Sequence, residues 1–140
     1  MHGVRLLALD YGTKNMGLAS CDEMGIAVRP LPSIPCGGRR ELFRRLRALA
    51  AENRIGLVIV GLPFNMDGST GPAGERALRF ARDLERAAGL QVRMVDERLS
   101  TEEAREIWRA MPVRRQKRYR TIDSLAAALI LERYLTEQPA

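Results

Sequence analysis

Val4-Arg5-Leu6-Leu7-Ala8-Leu9-Asp10 reads as a buried strand that ends in a carboxylate. A short turn at Tyr11-Gly12-Thr13 separates it from Asn15-Met16-Gly17-Leu18-Ala19-Ser20-Cys21. A second turn, Asp22-Glu23-Met24-Gly25, leads into a third strand-like stretch from Gly25 to Ile34. Connections this short leave no room for a crossover, so the three stretches are expected to form an antiparallel meander.

The remaining sequence alternates between helix and strand signals. Arg39 to Asn53 carries Leu42, Leu46, Leu49 and Ala50 on one face, the spacing of an amphipathic helix. Leu57-Val58-Ile59-Val60-Gly61 is a continuous apolar run, which suggests a strand covered on both sides. A loop rich in Gly, Pro, Asn and Asp, Leu62 to Gly71, ends at Pro72, where a helix to Ala88 is expected to begin and Gly89 to stop it. Leu90 to Val95 reads as the last strand and runs into Asp96 and Glu97. Ser100 and Glu103 have capping-box spacing ahead of a helix through Ala104, Ile107, Trp108 and Met111, which Pro112 stops. Val113 to Arg120 is expected to be a basic loop, and Ile122 to Leu135 a helix apolar on nearly every side, hence buried. This order predicts a mixed five-stranded α/β sheet with helices on both faces. Strands one, four and five would be parallel and joined by right-handed crossovers. Their carboxyl ends would then share one edge, where open sheets bind ligands.

A chain of 140 residues predicts one domain spanning 1–140. The composition excludes several chemistries. His2 is the sole histidine and lies at a terminus, so neither a Ser-His-Asp nor a Cys-His mechanism is available inside the fold. Cys21 and Cys36 are too few for a disulfide framework and suit reduced thiols in a cytoplasmic protein. No apolar run approaches the roughly 20 residues needed to span a bilayer, and the beginning of the chain does not read as a signal peptide. Catalysis would have to rest on carboxylates, Arg, hydroxyls, backbone amides and bound ions.

The acids are placed for that. Asp10 ends strand one, Asp96 and Glu97 end strand five, and Asp123 lies in the first turn of the final helix. Three separate regions thus bring carboxylates toward one sheet edge. Clustered carboxylates repel and are costly to desolvate. Divalent cations relieve that cost, and a pair of them suits phosphodiester hydrolysis. Taken singly, each acid has a plainer role: Asp10 in shaping a turn, Asp96 or Glu97 in pairing with Arg93 or Arg98, Asp123 in complementing the helix dipole.

The net charge of +6 comes from 23 Lys+Arg against 17 Asp+Glu, and all but Lys14 and Lys117 of the bases are Arg. Codon bias alone could give such a total. The distribution argues otherwise: residues 39–54 hold six bases and two acids, residues 105–140 eight and four, and residues 55–104 six and eight. From Arg109 to Arg120 there are six bases and no acid, directly ahead of Asp123. Arg109 to Arg120 therefore suits a nucleic-acid backbone, with Tyr119 available to stack on a base. The Arg residues of 39–47 also fit a plain solvated helix face. The loop 62–71 lacks the Gly-Lys-Ser/Thr ending of a nucleotide-binding P-loop.

Four stretches together resemble the YqgF/RuvX family. They are Leu9-Asp10-Tyr11-Gly12-Thr13-Lys14-Asn15-Met16-Gly17-Leu18-Ala19, Gly61-Leu62-Pro63-Phe64-Asn65-Met66-Asp67-Gly68, Asp96-Glu97-Arg98-Leu99-Ser100-Thr101-Glu102-Glu103-Ala104 and Ile122-Asp123-Ser124-Leu125-Ala126-Ala127-Ala128-Leu129-Ile130-Leu131. The resemblance implies an RNase H-like fold and a nuclease related to Holliday junction resolvases, a family also described as maturing the 5′ end of pre-16S rRNA. It implies that Asp10, Glu97 and Asp123 are catalytic and hold Mg²⁺ or Mn²⁺, two ions in all, with Asp96 as the alternative middle acid. Lys14, Asn65, Arg114, Arg115, Lys117 and Arg118 are the expected contacts to structured nucleic acid, either pre-16S rRNA or branched DNA. Cutting both strands of a junction implies a homodimer. Asn15 stands where the family usually has Arg, and Cys21 where Ser is common. Two other classes compete: a non-catalytic nucleic-acid-binding accessory factor in RNA processing or transcription, and an actin-like ATP-binding enzyme suggested by Asp10-Tyr11-Gly12-Thr13 with Gly17. Actin-like enzymes clamp ATP between two such domains, for which this chain is short.

Overall fold

A computed structural model describes residues 4–11, 14–25, 27–62, 71–96, 101–119 and 122–137. The described elements are β1 (Arg5–Asp10), β2 (Asn15–Cys21), β3 (Val28–Pro35), α1 (Arg39–Glu52), β4 (Ile55–Leu62), α2 (Pro72–Ala88), β5 (Val92–Asp96), α3 (Thr101–Ala110), α4 (Val113–Tyr119) and α5 (Ile122–Glu137). The strands form one sheet in the order β3-β2-β1-β4-β5. β1 to β3 are the expected antiparallel meander, while β1, β4 and β5 run parallel. The carboxyl ends of β1, β4 and β5 therefore meet at one edge.

The alternation of side chains along β1 divides the core in two. Leu7 and Leu9 face one side, where they join Met16, Leu18, Val58 and Val60 under Leu42 and Leu46 of α1 and Phe80 and Leu84 of α2. Leu6 and Ala8 face the other side, with Ala19, Cys21 and Ile59 under Ala127, Ile130, Leu131 and Tyr134 of α5. Leu6 to Leu9 are all fully buried, because β1 is central and covered on both faces. Each large side chain so enclosed contributes about 1.5–3 kcal/mol of transfer free energy. The near-uniform apolarity of α5 follows from its place across β1, β2 and β3.

Punctuation in the sequence acts where it was expected at α2. Pro72 occupies its first turn, and Gly89 ends it at φ 67°, with the Gly89 N–H donating to Glu85 O at 3.1 Å. β3 begins later than its apolar pattern suggests, at Val28. Gly25 is spent on the preceding turn, at φ 69° with its N–H on Asp22 O at 3.1 Å. Pro30, Pro32 and Pro35 in β3 are tolerated because it is an edge strand. The expected basic loop from Val113 is instead mostly helix, α4. Arg, Gln and Lys are good helix formers, and nothing from 113 to 119 breaks a helix once Pro112 has started it. The Arg115 and Gln116 N–H groups both donate to Pro112 O, and Gln116 Nε2 donates to Trp108 O at 2.6 Å, tying α4 back to α3. Among the described residues no helix is long and apolar enough to cross a membrane.

The seat of α5 depends on one glycine. Gly17 of β2 pairs with Asp10 of β1, and the β2–β3 register slips between Met16 and Leu18. A Cβ on Gly17 would lie 1.9 Å from Asp123 O and 2.4 Å from its carbonyl carbon. The first turn of α5 thus rests directly on the backbone of β2. Ser124, fully buried, fixes the turn sideways by donating from Oγ to Leu31 O of β3 at 2.5 Å. Gly17→Ala must therefore push α5 off the sheet, and a loss of about 1–3 kcal/mol is expected from forced overpacking. Urea unfolding monitored by circular dichroism measures it; a stability equal to the native chain's would show that α5 does not depend on this contact.

Candidate active site

Asp10 is the last residue of β1 and continues the Leu6–Ala8 parity, which aims it toward the α5 face of the sheet. Asp123 comes from α5, in the helical turn that rests on Gly17. Since Gly17 is the cross-strand partner of Asp10, the two acids are held beside each other by backbone packing rather than by side-chain pairing. Both are partly buried. Burial, and then the negative charge of Asp123, push the Asp10 carboxyl up to about 6 from an ordinary 3.8. Burial also raises Asp123. A helix N-terminus ordinarily favours an ionised acid; here desolvation outweighs it.

The other expected residues distribute around this pair. Lys14 is exposed immediately before β2, and its carbonyl accepts the Cys36 N–H at 2.7 Å, placing it at the edge where β1 ends. Arg114, Arg115 and Lys117 are exposed on α4, which packs against both α5 and β3 close to the start of α5. Arg118 belongs to α4 too, but its side chain lies outside the described residues, as do Glu97 and Asn65. Asp96 ends β5 beside Leu62 of β4, so the backbone of β5 reaches the same edge. Arg93 is engaged elsewhere, donating to Tyr134 Oη at 3.1 Å. Among the described residues, no three of His, Cys, Asp and Glu form a metal-sized cluster.

Three supporting residues went unread in the sequence. Gly17 and Ser124 lie inside quoted motifs, but their jobs are long-range and leave no local signal. Tyr11 has the opposite parity to Asp10 and stacks on Phe80 with ring centroids 4.3 Å apart and planes 12° from parallel. The Arg39 guanidinium lies 5.7 Å and 5.8 Å from the centres of the Phe43 and Phe80 rings and pairs with Asp83. Tyr11 thereby anchors the chain just past Asp10 on the face opposite α5. The signal that could have found it is the period of two along β1 carried one residue further.

The raised Asp10 value has a consequence for stability. Between about pH 4 and pH 6 the folded chain holds a proton that the unfolded chain has released, so stability falls as pH rises through that window. The difference corresponds to about 3 kcal/mol above pH 6. Asp10→Asn removes it. In metal-free buffer at pH 8 the variant is expected to melt several degrees higher than the native chain, with the gap closing toward pH 4. Equal melting temperatures at pH 8 would show that Asp10 carries no such penalty.

Comparison with known proteins identifies the fold and the family. The structure is similar to Thermus thermophilus RuvC solved in complex with a Holliday junction substrate, at a TM-score of 0.56 and 13% identity, covering 94% of this chain and 93% of that one. It is also similar to the fowlpox virus resolvase solved with Holliday junction DNA, at 0.57 and 11%, covering 94% and 97%. At these identities the likeness establishes the RNase H-like fold. In sequence the chain is 38% identical over 136 residues to a Thermoanaerobacter pseudethanolicus protein, covering 96% of this chain and 98% of the relative. It is 42% identical over 134 residues to one from Geobacillus kaustophilus, covering 94% and 97%. Both carry the name "Putative pre-16S rRNA nuclease". The sequence model of the RuvX family, described as "Holliday junction resolvase", matches residues 4–137, and the chain belongs to that family.

Proposed function

We propose that this chain is a divalent-metal-dependent endonuclease acting on structured nucleic acid, with Asp10, Glu97 and Asp123 as its metal-holding acids. The observation that carries the reading is the Asp10–Asp123 pair, two carboxylates from separate elements held together at the carboxyl edge of the sheet against their own repulsion. An all-oxygen donor set raised by burial suits Mg²⁺ or Mn²⁺. Two such ions, when bound, supply activation of a water and stabilisation of the leaving oxygen of a phosphodiester.

The chain's own residues do the rest. Asp10 and Asp123, held by β1 and by the α5 turn, present oxygens without needing to reorganise. Of the two acids that follow Val95, the alternation of β5 favours Glu97: Val95 packs with the α5-side core, and Val92 and Met94 pack with the other. Lys14 and the α4 cations Arg114, Arg115, Lys117 and Arg118 bind phosphates flanking the cut and align the backbone over the acids. Asn65, ahead of α2 in the chain, adds a polar contact to the substrate. The names of the relatives support pre-16S rRNA as substrate and the family description supports branched DNA; both present the same phosphodiester. A homodimer would bring two such sites to the two strands of a junction, and the cytoplasm is the matching compartment.

The test is cleavage of a pre-16S rRNA fragment and of a four-way DNA junction, side by side, with Mg²⁺ or Mn²⁺. Asp10→Asn is expected to lose cleavage of whichever substrate the native protein cuts while retaining its binding. Unchanged cleavage by this variant overturns the reading, and binding by the native protein without cleavage of either substrate leaves an accessory factor in its place. The middle acid is assigned by the same assay. Glu97→Gln should lose ~100-fold or more, since even partners behind a metal ligand are worth 10–100-fold, and Asp96→Asn should stay within a few-fold of native. The reverse order would make Asp96 the ligand.

A further inference from the structure

α2 carries arginines that the site does not use. β4 delivers the chain to the site edge, and α2 then runs back from that edge on the face opposite α5. Arg79, Arg82 and Arg86 are exposed on it at i, i+3 and i+7, which places them in one stripe along the helix. With Glu75, Leu78 and Asp83 they line a shallow groove. No ion pair to any of the three is present among the described residues.

Two of the nearby acids have other engagements. Asp83 is paired with Arg39 of α1. Glu85 accepts from the Val92 N–H at the start of β5, at 3.4 Å. Glu75 stands in the first turn of α2, where the helix dipole favours an acid, one turn ahead of Arg79. The stripe is therefore a run of available guanidinium groups. Arg79 to Arg86 spans about 10 Å at 1.5 Å per residue, which matches about three phosphates at the 3.4 Å rise of a duplex strand. Guanidinium groups suit phosphate oxygens over other anions of a macromolecule because their planar fork donates two parallel hydrogen bonds.

A second observation gives the surface its direction. The α4 cations lie on the α5 side of the sheet and the α2 stripe on the other, starting about 10 Å along the helix from the carboxyl edge at 1.5 Å per residue. A straight duplex lying along one face of the sheet meets one of the two surfaces, whereas a branched nucleic acid seated at the edge can send one arm down each face. We propose that Arg79, Arg82 and Arg86 form a second phosphate-backbone surface that takes one arm of a branched nucleic acid whose other arm lies on α4. The proposal rests on the nucleic-acid reading above, but not on cleavage.

The test is equilibrium binding, in metal-free buffer across a range of salt, to an immobile four-way DNA junction and to a linear duplex of one arm plus its continuation. The variant is Arg79→Gln/Arg82→Gln/Arg86→Gln, which keeps helix propensity while removing charge. The control is Arg5→Gln/Arg29→Gln/Arg54→Gln at the opposite end of the sheet, where Arg5, Arg29 and Ile55 lie together. Melting curves verify that both variants are folded. For the junction, the α2 variant should bind about tenfold or more weakly, and its slope of log K against log salt should be shallower by about one per arginine, or about three in all. The duplex should lose much less, and the control should track the native chain on both. An unchanged slope on the junction, an equal loss on junction and duplex, or an equal loss in the control each overturns the proposal. Native binding here, with no cleavage of the junction or of the pre-16S fragment when Mg²⁺ or Mn²⁺ is supplied, would undo the nuclease reading and leave this comparison intact.

Discussion

The close approach of α5 to β2 is the contact on which the site depends. A helix axis normally stands well clear of a sheet because side chains separate them. Here the separation disappears at one point, because Gly17 presents bare backbone and the Asp123 carbonyl comes into the space a Cβ would occupy. The bulged register opposite β3 and the Ser124 bond to Leu31 O fix the same turn from a second direction. Asp10 needs no device of its own, since the pleat of β1 directs it to the α5 face and pairing sets it against Gly17. The separation of the two backbones that carry the carboxylates is therefore set by main-chain packing.

That packing has an energetic side. Two acids free to move would separate into water and recover ordinary acidity. Held where they are, they cannot, and burial first and the neighbouring charge second keep a proton on Asp10 to about pH 6. A fold selected for stability alone would place an apolar residue or an amide at position 10, as it does at Leu6 and Ala8 of the same strand. The surrounding core bears the cost: β1 is enclosed on both faces, and α5 is buried along most of its length. The costly arrangement of charge thus lies on elements that are themselves well packed into the core.

Much of this was legible from residue order. The meander followed from connection lengths, the parallel strands from helices between them, and the common edge from both. Asp10 and Asp123 were readable because an acid that closes an apolar strand and an acid that opens an apolar helix each break a local pattern. α4 was misread because charge density looks like loop when helix propensity is ignored, and Arg, Lys and Gln are good helix formers. Gly17 and Ser124 were not readable as positioning residues. Each acts on a partner about a hundred residues away in sequence, and a glycine in a strand or a serine in a helix has many commoner explanations. Tyr11 lies between these cases: its parity was available from β1, but the Phe80 ring it stacks on belongs to α2.

The distribution of charge acquires a shape once the sheet is known. A net charge of +6 spread evenly would only aid solubility. Exposed cations on α2 and α4 instead stand on opposite faces of the sheet, and the Asp10–Asp123 pair lies at its carboxyl edge. A polyanion approaching this surface is attracted by both faces and repelled by the line between them. On the proposed reading that repulsion is useful, because phosphate and the acid pair can come together only with cations between them. The acid pair and the basic faces are then one arrangement: the faces supply affinity that is independent of sequence, and the pair decides what must accompany the substrate before the two can meet.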